Sequence, residues 1–158
     1  VRIDICNDQV TDPKHMQQQE QPGKAWRQDS IQMIVAPVGE RGRVSSEQLH
    51  EWLVNLKDGE VRTTPMTAPA RSLSLSTAVR RESGRTIYEF SVPLQKLVPS
   101  RSLQIQRNDA SPLTPVAFSL QVNNDNGSGL NGFRWFGGIG GETRHDPTAL
   151  GRVWLENR

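Results

Sequence analysis

The stretch PVAFSLQVNND, Pro115 to Asp125, decides the fold class. Val116, Phe118, Leu120 and Val122 recur every second residue, and Ala117, Ser119, Gln121 and Asn123 fill the alternate positions. Successive side chains of an extended chain point to opposite sides. Period two therefore predicts a strand with one apolar face and one small or polar face. The same signal recurs outward from this stretch. SIQMIVAP, Ser30 to Pro37, sets Ile31, Met33 and Val35 in step, and VRIDIC at the start of the chain alternates likewise. SLSTAVRRESGRTIYEFSVPL reads as two strands joined at Glu82-Ser83-Gly84, a hairpin turn signal. GFRWFGG and GRVWLENR supply the last strands. No helical pattern alternates with these strands. The expected fold is all-β, an antiparallel β-sandwich of jelly-roll or immunoglobulin-like type with few short helical turns.

One segment pulls the other way. In SSEQLHEWLVNLKDG, Leu49, Trp52, Leu53 and Leu56 lie at helical spacing behind a Ser45 or Ser46 cap and Gln48. Read as a strand, the same segment puts Trp52, Val54 and Leu56 on one face. The local pattern leans to a helix. Near the end, Asp146 as cap, Pro147 at the first position and Gly151 as stop predict a single helical turn.

The bulk properties bound the function. A chain of 158 residues fits one domain, and 10 prolines with 13 glycines favour many turns. Lys and Arg number 19 against 17 Asp and Glu, with no basic block, so nucleic acid is not an expected partner. No apolar run is long enough to cross a bilayer, so no membrane is expected either. Cys6 stands alone, which rules out an internal disulfide, and reads as a half-buried thiol. The chain starts at Val1 and reads as a piece of something longer.

No catalytic set assembles. His15, His50 and His145 lack the companions a transition-metal site needs and read as surface histidines. There is no G-x-S-x-G elbow and no phosphate-cradling glycine loop. Carboxylate pairs for glycoside hydrolysis have no fixed sequence spacing, and Asp29 and Glu89 are the candidates by position. Asp29 reads better as a turn or capping group, and Glu89, alternating with Tyr88 and Phe90, as a cross-strand partner facing away from the core. No catalytic residue is assigned.

The distinctive chemistry lies in QVNNDNGSGLNGFRWFGGIGG, Gln121 to Gly141. Gln121 and Asn123 end a strand with amides, which hydrogen-bond hydroxyls as donor and as acceptor. Trp135 and Phe136 follow, and flat rings cover the apolar face of a pyranose at little entropic cost. Together these suit an oligo- or polysaccharide. The turn at Asn124 and Asp125 also has the oxygen-rich composition that calcium takes, although a plain Asx turn has the same composition.

WRQDSIQMIV, TIYEFSVPLQKLVP, FSLQVNNDNG and DPTALGRVWL occur in this order. That order resembles the family 9 carbohydrate-binding modules and the wider group of DOMON-like sandwich domains, from Val1 to the end of the chain. The resemblance implies an antiparallel sandwich, often with structural calcium, that binds sugar on its concave face or rim. It implies a single domain over residues 1–158, lacking the family's first strands. It further implies an accessory domain beside the catalytic domain of a secreted polysaccharide-active enzyme, a glycoside hydrolase or polysaccharide lyase, in an extracellular, periplasmic or cell-surface setting. It makes His50 to Lys57 a strand, against the local helical pattern. Family members clamp a terminal sugar between two tryptophans, one just before the "DS" strand, where Trp26 stands. Gln32 stands where they carry a carboxylate that bonds sugar hydroxyls. Their second tryptophan lies just ahead of the "DP" turn, where this chain has Arg144, and Asn131 falls near a family arginine. Half of the aromatic clamp is thus replaced. Two rival readings follow: a structural sandwich that packs on a catalytic domain and binds no sugar, and a haem-binding relative using Met16, Met33 or Met66 with a histidine.

Overall fold

The computed structural model of the protein describes residues 2–6, 29–57, 59–82, 85–97, 114–125, 130–139 and 144–155. Its strands are β1 (Arg2–Cys6), β2 (Ser30–Pro37), β3 (His50–Lys57), β4 (Glu60–Pro65), β5 (Ser76–Glu82), β6 (Arg85–Ser91), β7 (Thr114–Asp125), β8 (Leu130–Trp135) and β9 (Gly151–Leu155). Among the described residues there are also two short helices, α1 (Ala68–Ser72) and α2 (Leu94–Leu97), and three turns of 3-10 helix. The strands form two sheets with antiparallel pairing throughout. The smaller has the order β1-β6-β5, and the larger β4-β3-β2-β7-β8 with β9 also paired to β7.

Each sequence-predicted strand is present. The β5–β6 hairpin closes with Glu82 opposite Arg85, as the turn signal requires. Residues His50–Lys57 form a strand, in line with the family resemblance. The local cap signal is also real, but short-lived. The Ser45 side chain accepts from the Glu47 amide at 3.3 Å and starts a turn over Ser46–Gln48 that ends before β3. Long-range pairing of β3 on both edges, with β2 and β4, overrides the helical spacing. Pro147–Ala149 forms the predicted turn, capped by Asp146, whose carboxyl Thr148's hydroxyl and amide hold below the usual range. β4 has no apolar alternation to announce it. It is an edge strand, exposed at nearly every position.

The main core lies between the sheets. Ile31, Met33 and Val35 of β2 meet Trp52 and Val54 of β3, Val116, Phe118, Leu120 and Val122 of β7, and Tyr88 and Phe90 of β6. Burial of each such side chain contributes roughly 1.5–3 kcal/mol. Helix α1 closes one end with Ala70, and Leu73 follows it into the same cluster. An ion pair ties the sheets at the margin. Arg81 of β5 reaches Asp29, just ahead of β2, at 3.1 Å. Asp29, expected as a turn or capping group, sits at a bend and is also a partner in a cross-sheet bridge. Glu89 is exposed, as expected.

The back of the large sheet is divided. Toward one end Ile34, Ala36 and Ala117 lie under Leu49, Ile139 and Leu150 in a second apolar cluster. Toward the other end the same face carries Ser30, Gln32, Asn55 and Asn123, all buried, and Gln121. β7 is long enough to serve two strands along one edge: Thr114–Phe118 pair with β9 and Leu120–Asp125 with β8. Ser119 lies between, where its hydroxyl donates to the Trp135 carbonyl at 3.1 Å.

Candidate functional site

Strand pairing brings polar residues far apart in sequence into one row. Gln32 lies opposite Gln121 across β2–β7, and Gln121 lies opposite Arg134 across β7–β8. One step along, Ser30 lies opposite Asn55 on one side and Asn123 on the other. Directly opposed residues share a face, so these side chains meet on the back of the sheet.

They form one hydrogen-bonded chain. Arg134 Nε donates to Gln121 Oε1 at 2.9 Å. Gln121 Nε2 donates to Asn123 Oδ1 at 2.6 Å and, at 3.5 Å, to Gln32 Oε1. Asn123 Nδ2 donates to Ser30 Oγ at 3.1 Å and Gln32 Oε1 at 3.4 Å. Gln32 Nε2 in turn reaches Glu51 Oε1 at 3.5 Å. A guanidinium only donates and a carboxylate only accepts. With Arg134 at one end and Glu51 at the other, each amide between them has one orientation that satisfies both neighbours.

Glu51 is completely buried on β3. A buried carboxylate is costly unless it is paired and hydrogen-bonded. Its partner is His145, whose Nε2 lies 2.5 Å from Oε2. The chain places His145 there through unusual backbone geometry. His145 has φ +60°, its amide donates to the Gly138 carbonyl at 2.8 Å, and the Asp146-capped turn follows at once. Gly138 itself has φ +86°, and a Cβ there would come within 2.7 Å of Leu150, so this loop is built around glycine.

His145 is thus not the surface histidine expected from the sequence, and neither is His50. His50 is half-buried and stacks on Trp52, with ring centres 5.8 Å apart. Burial lowers its pKa, against a hydrogen bond to the Pro69 carbonyl that acts in the opposite sense. Its Nδ1 is buried without a hydrogen-bond partner. Met33 fills the core between the sheets.

The other sequence-derived candidates lie apart from the row or beyond the described residues. Trp135 pairs with Leu120 and meets Phe118 edge-on, which puts it on the opposite face of the sheet from Gln32 and Gln121. There it is half exposed, stacked on Phe136 and near the exposed Phe133. Arg144 is exposed, next in the chain to His145. Asn131 has its backbone paired with Asn124 in β8, and its side chain is outside the described part. Trp26, His15 and Met16 also fall outside the described residues. Asn124 lies on the core side of β7 with its Oδ1 buried and unpartnered, and the Asp125 side chain is not described. Among the described residues no group of three His, Cys, Asp or Glu side chains could hold a metal ion.

Sequence reasoning missed Glu51, His145, Ser30 and Arg134. The first had a signal. Once His50–Lys57 is a strand, alternation sets Glu51 and Asn55 on the face opposite Trp52 and Val54.

Two structures of a family 9 carbohydrate-binding module from Caldicellulosiruptor kristjanssonii match this architecture. The one in complex with glucose matches over 96% of this chain and 68% of its own, with a TM-score of 0.63 and 16% identity. The one in complex with cellotriose matches over 96% and 66%, with a TM-score of 0.61 and 15% identity. The chain has the fold of a family 9 carbohydrate-binding module. The sequence itself matches no protein-family model and no curated protein. The family 9 fold survives here on the pattern of buried alternation and strand order. Few identical residues are needed to keep either.

Proposed function

We propose that the protein is a non-catalytic carbohydrate-binding module that takes a saccharide on the polar back of its large sheet. The observation that carries the reading is the oriented row Gln32, Gln121 and Asn123, spanning adjacent strands of a fold whose solved neighbours hold glucose and cellotriose. Held amides give directional contacts to hydroxyls without the entropy loss of ordering loose side chains. In this reading Trp26 stacks on the sugar, with Asn131 and Arg144 at the rim and Trp135 as a separate aromatic contact. The domain serves as an accessory to a secreted polysaccharide-active enzyme and performs no hydrolysis itself. Structural calcium belongs to the same proposal. Its support is one atom, the unpartnered Asn124 Oδ1, with Asp125 beside it in sequence.

The test is a glycan array followed by calorimetry with glucose and cellotriose on native protein and on the Gln121→Ala and Trp26→Ala variants. Binding by the native protein, lost in Gln121→Ala while the unfolding curve is kept, is the expected result. Binding untouched by Gln121→Ala removes the polar face from the account. A chelator that lowers the Tm supports calcium, and an unchanged Tm removes it.

A second reading has its own observation. Phe133 is 65% exposed and Trp135 49%, on the side of β8 that faces away from the polar row. An exposed aromatic strip is also what a domain shows when it packs on a neighbour. A structural domain that binds no sugar predicts silence on the array.

A further inference from the structure

Each amide oxygen of the polar row already has at least one donor from within the row. Gln32 Oε1 accepts two amide donors, Gln121 Oε1 accepts Arg134, Asn123 Oδ1 accepts Gln121, and both Glu51 oxygens have donors. An arginine stands exposed at each end of the row, with Glu60 on the same face of β4 two residues from the one there. Arg134 is exposed at the β8 end and uses only Nε within the row. Arg62 is exposed on β4 opposite Asn55, so it stands on the same face at the other end. Neither has a described carboxylate as partner. The two residues are four strand spacings apart, about 19 Å. Glu51, the one anion inside the row, is buried and covered by His145.

We infer that the saccharide this face selects is an acidic one, carrying one uronic acid carboxylate to Arg134 and another, on a separate sugar unit, toward Arg62. This rests on the saccharide-binding reading above and names its ligand class. A neutral hydroxyl can use the second lone pair of Gln121 Oε1 or Asn123 Oδ1, but it meets a guanidinium with a single oxygen and no charge. A carboxylate is acceptor-only and matches the planar fork of arginine with two parallel hydrogen bonds. Arg134 is well set for this. Its Nε is held by Gln121, which fixes the plane of the guanidinium and leaves both Nη groups to the ligand. The buried anion is shielded from the ligand, so attraction at the rim is not offset at the floor.

The experiment is calorimetry with a uronic-acid trisaccharide and with cellotriose, at about 20 mM and about 200 mM NaCl. The expected result is uronate binding at least about tenfold tighter at low salt, with the gap narrowing several-fold at high salt. Arg134→Gln should bring the two affinities to within about threefold, and the double variant with Arg62→Gln should close the gap, each with native-like unfolding curves. Cellotriose bound as tightly as the uronate overturns the inference and leaves the saccharide-binding reading standing. A uronate preference that survives both substitutions overturns it as well, since the arginines would not be its source. No binding of any saccharide by the folded native protein overturns both readings.

Discussion

The two faces of the large sheet obey different rules. Along β2, Ile31, Met33 and Val35 face the core, while Ser30 and Gln32 face back, each one residue away from its opposite. On the core face any side chain of fitting volume and hydrophobicity does the work, and neighbours compensate for one another. On the back face each group depends on a named partner, and a missing partner leaves a buried polar atom behind. The first face holds the sheets together by area. The second is held by pairing, and that makes it suited to recognition.

The largest expected effect is on the core face. Trp52 is 2% exposed, and Trp52→Ala should cost about 3–5 kcal/mol, read from a denaturant midpoint. A smaller loss would mean that His50, stacked on the ring, relaxes into the space. On the back face His145→Ala leaves Glu51 Oε2 buried without its hydrogen-bond partner and should cost about 2–3 kcal/mol. Adding Glu51→Gln should restore most of that, because the neutral amide has no charge to strand. If the second substitution restores nothing, the pair does not anchor the loop.

How much of this was legible in the sequence differs between the faces. The core strands were readable because period-two alternation needs no knowledge of what lies opposite. PVAFSLQVNND and SIQMIVAP fix their inward residues alone. Gln121 and Asn123 stand out as candidate binding groups by composition, and Gln32 by the family resemblance. Arg134, Ser30 and Glu51 do not, since a polar residue becomes part of a site only through its cross-strand partner. His145 was hidden for another reason. Its role depends on a positive φ and on a glycine seven residues earlier, and neither leaves a periodic trace. β4 escaped because an exposed edge strand carries no hydrophobic alternation.

Smaller effects sharpen the contrast. The pKa of His50 is lowered in the fold, so the unfolded chain binds its proton more readily. The contribution is complete above the ordinary value, about 6.5, and is lost as pH falls from there toward the folded value. Unfolding midpoints between about pH 8 and pH 5 should therefore decline, and His50→Gln should flatten that decline. An unaltered slope in the variant would assign the decline to other groups. Least of all, Asp29→Ala removes a partly exposed bridge and should cost about 0.5 kcal/mol, with a smaller difference at high salt.

The direction of the amide row has one more consequence. Every amide in it takes its orientation from the two ends, the guanidinium of Arg134 and the carboxylate of Glu51. Replacing the arginine by a glutamate would ask Gln121 to donate where it now accepts, while Glu51 still requires Gln32 to donate, so no single set of orientations would satisfy both ends. One substitution on an exposed edge strand would then break the pairing of three partly or fully buried residues, with no change in the core. A change of sign at one border of the face is therefore tolerated only if the other border changes with it.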